Sequence, residues 1–178
     1  MKIRKGSSNA VGIRVGIVAA KFNQSVTGKL LSSCLAGLAK HGVKDHHVEV
    51  LRVPGAFEIP LVAKTLAASG RFDAVICLGA VIRGDTPHFE YICAEVSRGI
   101  GQAALDTGVP IVFGVLTTET VAQAVERADP AKFNRGGEAA NVAIEMVTVL
   151  RRIGTMEPQA NGAGSALRPR RVARRPGA

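Results

Sequence analysis

DAVICLGAVIRGDTPHFEY, residues 73–91, changes character halfway along. Ala74–Leu78 is a short run of β-branched and large apolar side chains, the texture of a strand buried on both faces. Gly79–His88 then gathers turn-forming and polar residues. Pro87 suits a first helical turn and biases Thr86 away from helical backbone, which makes Thr86 the expected N-cap. A helix is expected over 87–107, with Gly108 and Pro110 as its stop. A strand feeding directly into a helix is half of a parallel βαβ unit.

The same texture recurs on both sides. Arg14–Ala20, Val48–Val53 and Pro110–Leu116 read as three more strands, each followed by a helical pattern. Ser25–His41 places Val26, Leu30, Cys34 and Leu38 on one face and stops at Gly42. A second helix runs from about Pro60 to Gly70, and a short one covers Glu119–Ala128 behind Thr118 as cap. The last, Gly137–Ile153, is expected to bury Ala139, Val142, Ala143, Met146, Leu150 and Ile153. Four strands, each with its helix and without hairpin signals, predict an α/β fold: an open parallel sheet of four strands covered on both faces, a three-layer αβα sandwich. Such sheets bind ligands at the carboxyl ends of their strands, which selects Lys21–Ser25, Pro54–Ile59, Gly79–His88 and Phe113–Thr118.

Composition narrows the function classes. The 178 residues, 47% hydrophobic with mean hydropathy +0.19, suit one well-buried domain. No apolar run reaches about 18 residues, and the opening MKIRKGSSNA lacks the apolar block of a secretory signal, so neither a membrane span nor secretion is expected. Cys34, Cys77 and Cys93 have no C-x-x-C spacing and sit in apolar runs, which reads as buried thiols in a reducing, cytoplasmic setting. His46-His47 lacks further ligands at usable spacing, so no metal is expected.

The net charge of +9 is carried by the ends. Lys2, Arg4, Lys5 and Arg14 stand without an acid in residues 1–14, and seven Arg face only Glu157 in residues 151–178. The body between them is nearly neutral, with 12 basic and 13 acidic groups. The Pro-, Gly- and Arg-rich stretch at 155–178 is expected to be a disordered tail. Nucleic acid is expected to bind, if anywhere, only there. The chain thus divides into an N-terminal segment (1–11), one α/β domain (12–154) and the tail (155–178).

Three of the selected loops carry chemistry. Backbone N–H groups near Gly84, Asp85 and Thr86, with the Thr86 hydroxyl and the positive end of the following helix, suit a phosphate-sized anion. His88, one step beyond, is of the type that trades protons near neutral pH. Phe22-Asn23 offers an aromatic ring and an amide to a planar ligand, and Pro54–Pro60 offers a rigid turn with Glu58 as acceptor for hydroxyl groups. Arg83-Gly84-Asp85 spells an adhesion tripeptide, a coincidence in a chain of this kind. G-x-G-x-x-G, the P-loop and the G-x-S-x-G elbow are absent.

Taken in order, AKFN (20–23), RVPGAFEIP (52–60), DAVICLG (73–79), VIRGDTPHFEY (81–91), FGVLTT (113–118), QAVER (123–127) and NRGGEAANVAIEM (134–146) resemble the lumazine synthases of riboflavin biosynthesis, over about residues 12–153. The resemblance implies a flavodoxin-like fold and condensation of 5-amino-6-(D-ribitylamino)uracil with 3,4-dihydroxy-2-butanone 4-phosphate, without cofactor or metal. It implies that Phe22 stacks on the pyrimidine with Asn23 beside it, and that Ala56, Phe57 and Glu58 hold the ribityl chain. Ala80, Val81 and Ile82 would contact the pyrimidine through main-chain groups, Asp85 and Thr86 the phosphate, and His88 would carry protons. Phe113 and Arg127 would come from a neighbouring subunit, the first closing over the pyrimidine and the second pairing with phosphate.

The family assembles as pentamers, in many members twelve of them closing into an icosahedral shell, and riboflavin synthase is an associated partner. Its N-terminal segment adds a strand to a neighbour's sheet. Two departures stand out: Arg135 replaces the usual Lys of Asn-Lys-Gly, and DPAKF (129–133) replaces a small-residue loop. A flavin- or lumazine-storage protein would use Phe22 and the 54–58 turn equally well, but would give His88, Asp85, Thr86 and Arg127 no task. A scaffold recruiting anionic cargo through the tail would need none of these residues.

Overall fold

A computed structural model of the chain describes residues 3–154. The order is β1 (Val15–Ala20), α1 (Gln24–Lys40), a 3₁₀ turn (Asp45–His47), β2 (Val48–Val53), α2 (Ile59–Ala68), β3 (Ala74–Ile82), α3 (His88–Thr107), β4 (Ile111–Thr118), α4 (Val121–Ala128) and α5 (Arg135–Gly154). The four strands form one parallel sheet in the order β2-β1-β3-β4, with Val15 opposite both Val48 and Ala74, and Val75 opposite Ile111. This is the flavodoxin-like α/β arrangement, and its strand order reverses between β1 and β3.

The sheet's period of two sorts the core into halves. Val15, Ile17 and Ala19 pack with Val26, Leu30, Cys34, Leu38, Ala140, Ala143 and Ile144 under α1, α4 and α5. Val18 and Ala20 pack with Ile59, Ala63, Leu66, Phe72, Val96 and Ile100 under α2 and α3. All six residues of β1 and the first seven of β3 are buried, as expected for central strands with helices on both faces. Helices α1 and α5 approach closely because their contact is built of small residues. A Cβ on Gly37 would lie 3.0 Å from the Ala140 Cβ, and one on Gly136 only 2.2 Å from the Leu30 carbonyl oxygen.

Several expectations are corrected. Strand β3 continues to Ile82, because Gly79 to Ile82 stay in register with Val115 to Thr118 of β4; Ala80–Ile82 and Phe113–Thr118 are therefore strand rather than loop. His46 and His47 lie in the 3₁₀ turn, their ring centroids 4.4 Å apart. Thr120, not Thr118, caps α4: its hydroxyl accepts from the Gln123 N–H at 3.2 Å, while the Thr118 hydroxyl donates to the Thr120 carbonyl. Pro87 occupies the N-cap position of α3 in helical conformation, with no side-chain cap, so Thr86 does not play that part.

Helix α5 begins at Arg135, where the Asn134 carboxamide oxygen accepts the Gly137 N–H at 3.2 Å. It buries Gly136, Gly137, Ala139, Ala140, Ala143, Ile144 and Val147, whereas Val142, Met146, Leu150 and Ile153 remain 37–56% exposed. Two apolar stripes share this helix, and only one faces its own chain's core. Cys34 and Cys77 are fully buried, and burial pushes the Cys34 thiol up to about 12; Cys93 is only partly covered. Among the described residues no helix is long and apolar enough to cross a membrane. The tail expected at 155–178 lies outside the described residues.

Candidate active site

The carboxyl ends of β1, β2 and β3 converge on one cleft of about 700 Å³ at the strand-order reversal. Phe22, Asn23, Ala56, Phe57, Glu58, Ala80, Val81, Ile82, Thr86 and His88 all line it. Three segments distant in sequence thus meet in one cleft. Asp85 sits between Gly84 and Thr86 on the exposed turn but is not part of the cleft wall.

Each wall is held by backbone geometry. The Lys21 N–H donates to the Val53 carbonyl at 2.8 Å and the Phe22 N–H to the Pro54 carbonyl at 3.0 Å, fastening the first loop to the second. Asn23 takes the left-handed conformation (φ 56°, ψ 47°), one that asparagine tolerates better than most side chains. Its amide Nδ2 donates to the Ala80 carbonyl at 2.9 Å, bridging the ends of β1 and β3. That hydrogen bond engages the amide with the protein itself, so Asn23 supports the floor on which Phe22, 71% exposed, stands.

In the second loop a Glu58 carboxylate oxygen accepts the Gly55 N–H at 2.8 Å, closing the turn and leaving Phe57 more than half exposed beside it. The carboxylate's second oxygen makes no side-chain contact among the described residues and can accept from a hydroxyl. Gly84–Pro87 spans from β3 to α3, and His88 is the first residue of α3, exposed at the mouth. Helix α3 starts here without a side-chain cap, and the positive end of its dipole favours an anion near this mouth.

Phe113 and Arg127 are elsewhere. With Arg135 they line a second cleft, of about 580 Å³, along β4, whose far edge has no strand beside it among the described residues. Its walls include Val142 and Met146 from the outward stripe of α5. Arg127 NH1 donates to the Gln123 carbonyl at 3.2 Å, and its guanidinium lies 5.7 Å from the Phe133 ring centroid. Arg135 pairs with Glu138 and lies 5.9 Å from the same ring. One chain therefore carries two separate clefts, one lined by aromatic residues and a histidine and one by cationic residues, with no lining residue in common.

Tyr91, Phe89 and Ile92 also line the first cleft and escaped the sequence reading. Their signal was available: Tyr91 and Ile92 follow His88 by three and four residues and so share its face of the helix. The outward stripe of α5 escaped because its residues are as apolar as those of the buried stripe.

A family model described as 6,7-dimethyl-8-ribityllumazine synthase matches residues 12–151. A protein from Syntrophus aciditrophicus (strain SB), named 6,7-dimethyl-8-ribityllumazine synthase, is 56% identical over 151 residues, covering 85% of this chain and 98% of its own length. The match takes in every strand, every loop of the cleft and both cationic residues of the β4 edge. By sequence and by fold, the chain belongs to the 6,7-dimethyl-8-ribityllumazine synthase family.

Proposed function

We propose that this chain is a transferase of riboflavin biosynthesis, condensing 5-amino-6-(D-ribitylamino)uracil with 3,4-dihydroxy-2-butanone 4-phosphate to 6,7-dimethyl-8-ribityllumazine, phosphate and water. The observation that carries this reading is the convergence of an aromatic shelf, a hydroxyl-binding turn, an anion-binding turn and a histidine on one cleft, in a chain matched by that family throughout its folded domain. The substrate's own amine attacks the ketone, so no serine or cysteine nucleophile is needed. Water leaves on imine formation, phosphate on elimination, and a second water when the ribityl-bearing nitrogen closes the ring. The protein supplies proximity, a seat for the phosphate and proton transfer.

Phe22 stacks on the pyrimidine, Ala80, Val81 and Ile82 meet its polar edge through main-chain groups, and Ala56, Phe57 and Glu58 hold the ribityl chain. Asp85 and Thr86 receive the phosphate ester, and His88 carries the proton. Phe113 and Arg127, with Arg135 beside them, reach the cleft from a neighbouring copy. Purified protein given both substrates should accelerate lumazine fluorescence and phosphate release in equal amounts over a no-enzyme control. Tight lumazine or flavin binding without turnover would favour the storage reading instead. His88→Ala should slow turnover roughly 10- to 100-fold without abolishing it, because proximity survives the loss of the proton carrier. An unchanged rate and pH profile would remove His88 from the mechanism.

The exposed apolar residues along β4 and α5, Phe113, Val142, Met146 and Leu150, support a homo-oligomer, proposed as a cytoplasmic pentamer and a closed shell of pentamers. The short connection from Arg127 to Glu138 holds no insertion to obstruct it. Association with riboflavin synthase belongs to the same reading. Sedimentation and negative-stain images should show hollow particles; free pentamers alone would overturn the shell.

A further inference from the structure

The turn that seats the phosphate has little of its own to hold it. Among the described residues, Gly84, Asp85 and Thr86 make no hydrogen bond outside the regular ladders, and α3 starts without a side-chain cap. Arg83 stands immediately before this turn and is held by several contacts. Its N–H donates to the Thr118 carbonyl at 2.9 Å, extending the β3–β4 ladder by one residue. Its guanidinium pairs through Nε with the Glu119 carboxylate at the end of β4 and through NH1 with the Glu90 carboxylate in the first turn of α3. The same group lies over the Phe89 ring, 4.2 Å from its centroid. One side chain thus joins strand β4, the root of the turn and the start of the helix that presents His88.

We propose that Arg83 is the positioning residue of the phosphate-binding turn, fixing Gly84–His88 from both ends and screening the two carboxylates that flank it. The inference rests on the proposed reading of that turn as the phosphate seat. A positioning part suits Arg83 better than that of a phosphate ligand, because its Nε and NH1 already serve two carboxylates and its plane lies over an aromatic ring. Its hydrogen bond holds the Glu90 carboxyl below its ordinary pKa. Without the guanidinium, the Glu90 and Glu119 charges would lose their paired cation beside the turn proposed to hold a dianionic ester.

Arg83→Met, Arg83→Lys and the triple variant Arg83→Met/Glu90→Gln/Glu119→Gln test this in the full chain, with circular dichroism and sedimentation confirming fold and assembly. Arg83→Met should raise the KM for the butanone phosphate on the order of 10-fold and leave that for the pyrimidine within about twofold. Arg83→Lys should recover part of the loss, since it keeps the charge but not the fork. The triple variant should recover only the part owed to the carboxylates.

Inorganic phosphate, titrated by calorimetry, supplies a readout that does not depend on turnover. Weaker phosphate binding in Arg83→Met than in the unmodified protein supports the inference even if no lumazine is made. Equal rises in both KM values, unchanged phosphate affinity, or full recovery in the triple variant would overturn it.

Discussion

Replacing Arg127 by alanine should raise the KM for the butanone phosphate roughly 10- to 100-fold, the loss expected for charge-assisted hydrogen bonds to a phosphate. The KM for the ribitylaminouracil should stay within about twofold, because the group removed meets only one substrate. The asymmetry is the informative result. Arg127 is poised for an anion: one NH group is tethered to the Gln123 carbonyl and the guanidinium lies against Phe133, so the fork is oriented before a ligand arrives. Arg127→Lys should fall between the two, retaining charge without the bidentate geometry. Initial-rate kinetics with each substrate varied in turn make the comparison, and equal effects on both would contradict the assignment.

The largest effect on stability should come from a single methyl group. A Cβ on Gly136 would sit 2.2 Å from both the Leu30 carbonyl oxygen and the Ser33 hydroxyl oxygen, and the first of these is helical backbone that cannot rotate away. Gly136→Ala therefore forces α5 off α1, at a cost of about 3 kcal/mol or more. Better helix propensity returns at most about 1 kcal/mol of this, and less in a first turn. A net loss of about 2 kcal/mol lowers Tm by roughly 4–8 °C in a domain of this size. Gly101→Ala is the control: it lies mid-helix in α3 with nothing within 4 Å of the added carbon, so it should stabilise. Thermal melts in which Gly136→Ala matches the parent would show that the α1–α5 contact yields easily.

The fold was legible because its central strands leave few alternatives. VGIVAA and AVICL can be buried on two faces only as inner strands of a helix-covered sheet, and each is followed by a helix with a recognisable stop. The boundaries were less legible. Gly79 reads as the end of a strand, yet β3 runs on to Ile82 because β4 offers a partner at every step, a tertiary fact with no local signature. Thr86 looks like a cap by composition, but Pro87 already sits in helical conformation, and the Arg83 bracket fixes this helix start instead.

In α5, Met146 and Leu150 are apolar enough for a core, and period alone cannot say which of two apolar stripes faces its own sheet. The small residues decide it: Gly136, Gly137, Ala140 and Ala143 permit the close approach to α1 that bulkier side chains would block. The cleft was legible as three of the four segments selected at strand ends, the fourth, Phe113–Thr118, being strand that lines the other cleft. That Phe113 and Arg127 line a different cleft follows from their place on β4 and α4, and the sequence carried it only through the resemblance.

If the two clefts, which share no lining residue, are joined between neighbouring copies as proposed, ownership of a site is collective. On that reading a chain crippled at His88 would still lend a sound Arg127, and a chain crippled at Arg127 would still offer a sound His88. Co-assembled in equal amounts around a ring of head-to-tail contacts, two impaired variants would place the intact halves together at about one site in four. Damage in this molecule would then behave as a property of mixtures: a defective allele can be rescued by a differently defective one, while each can also spoil the sites of a sound neighbour.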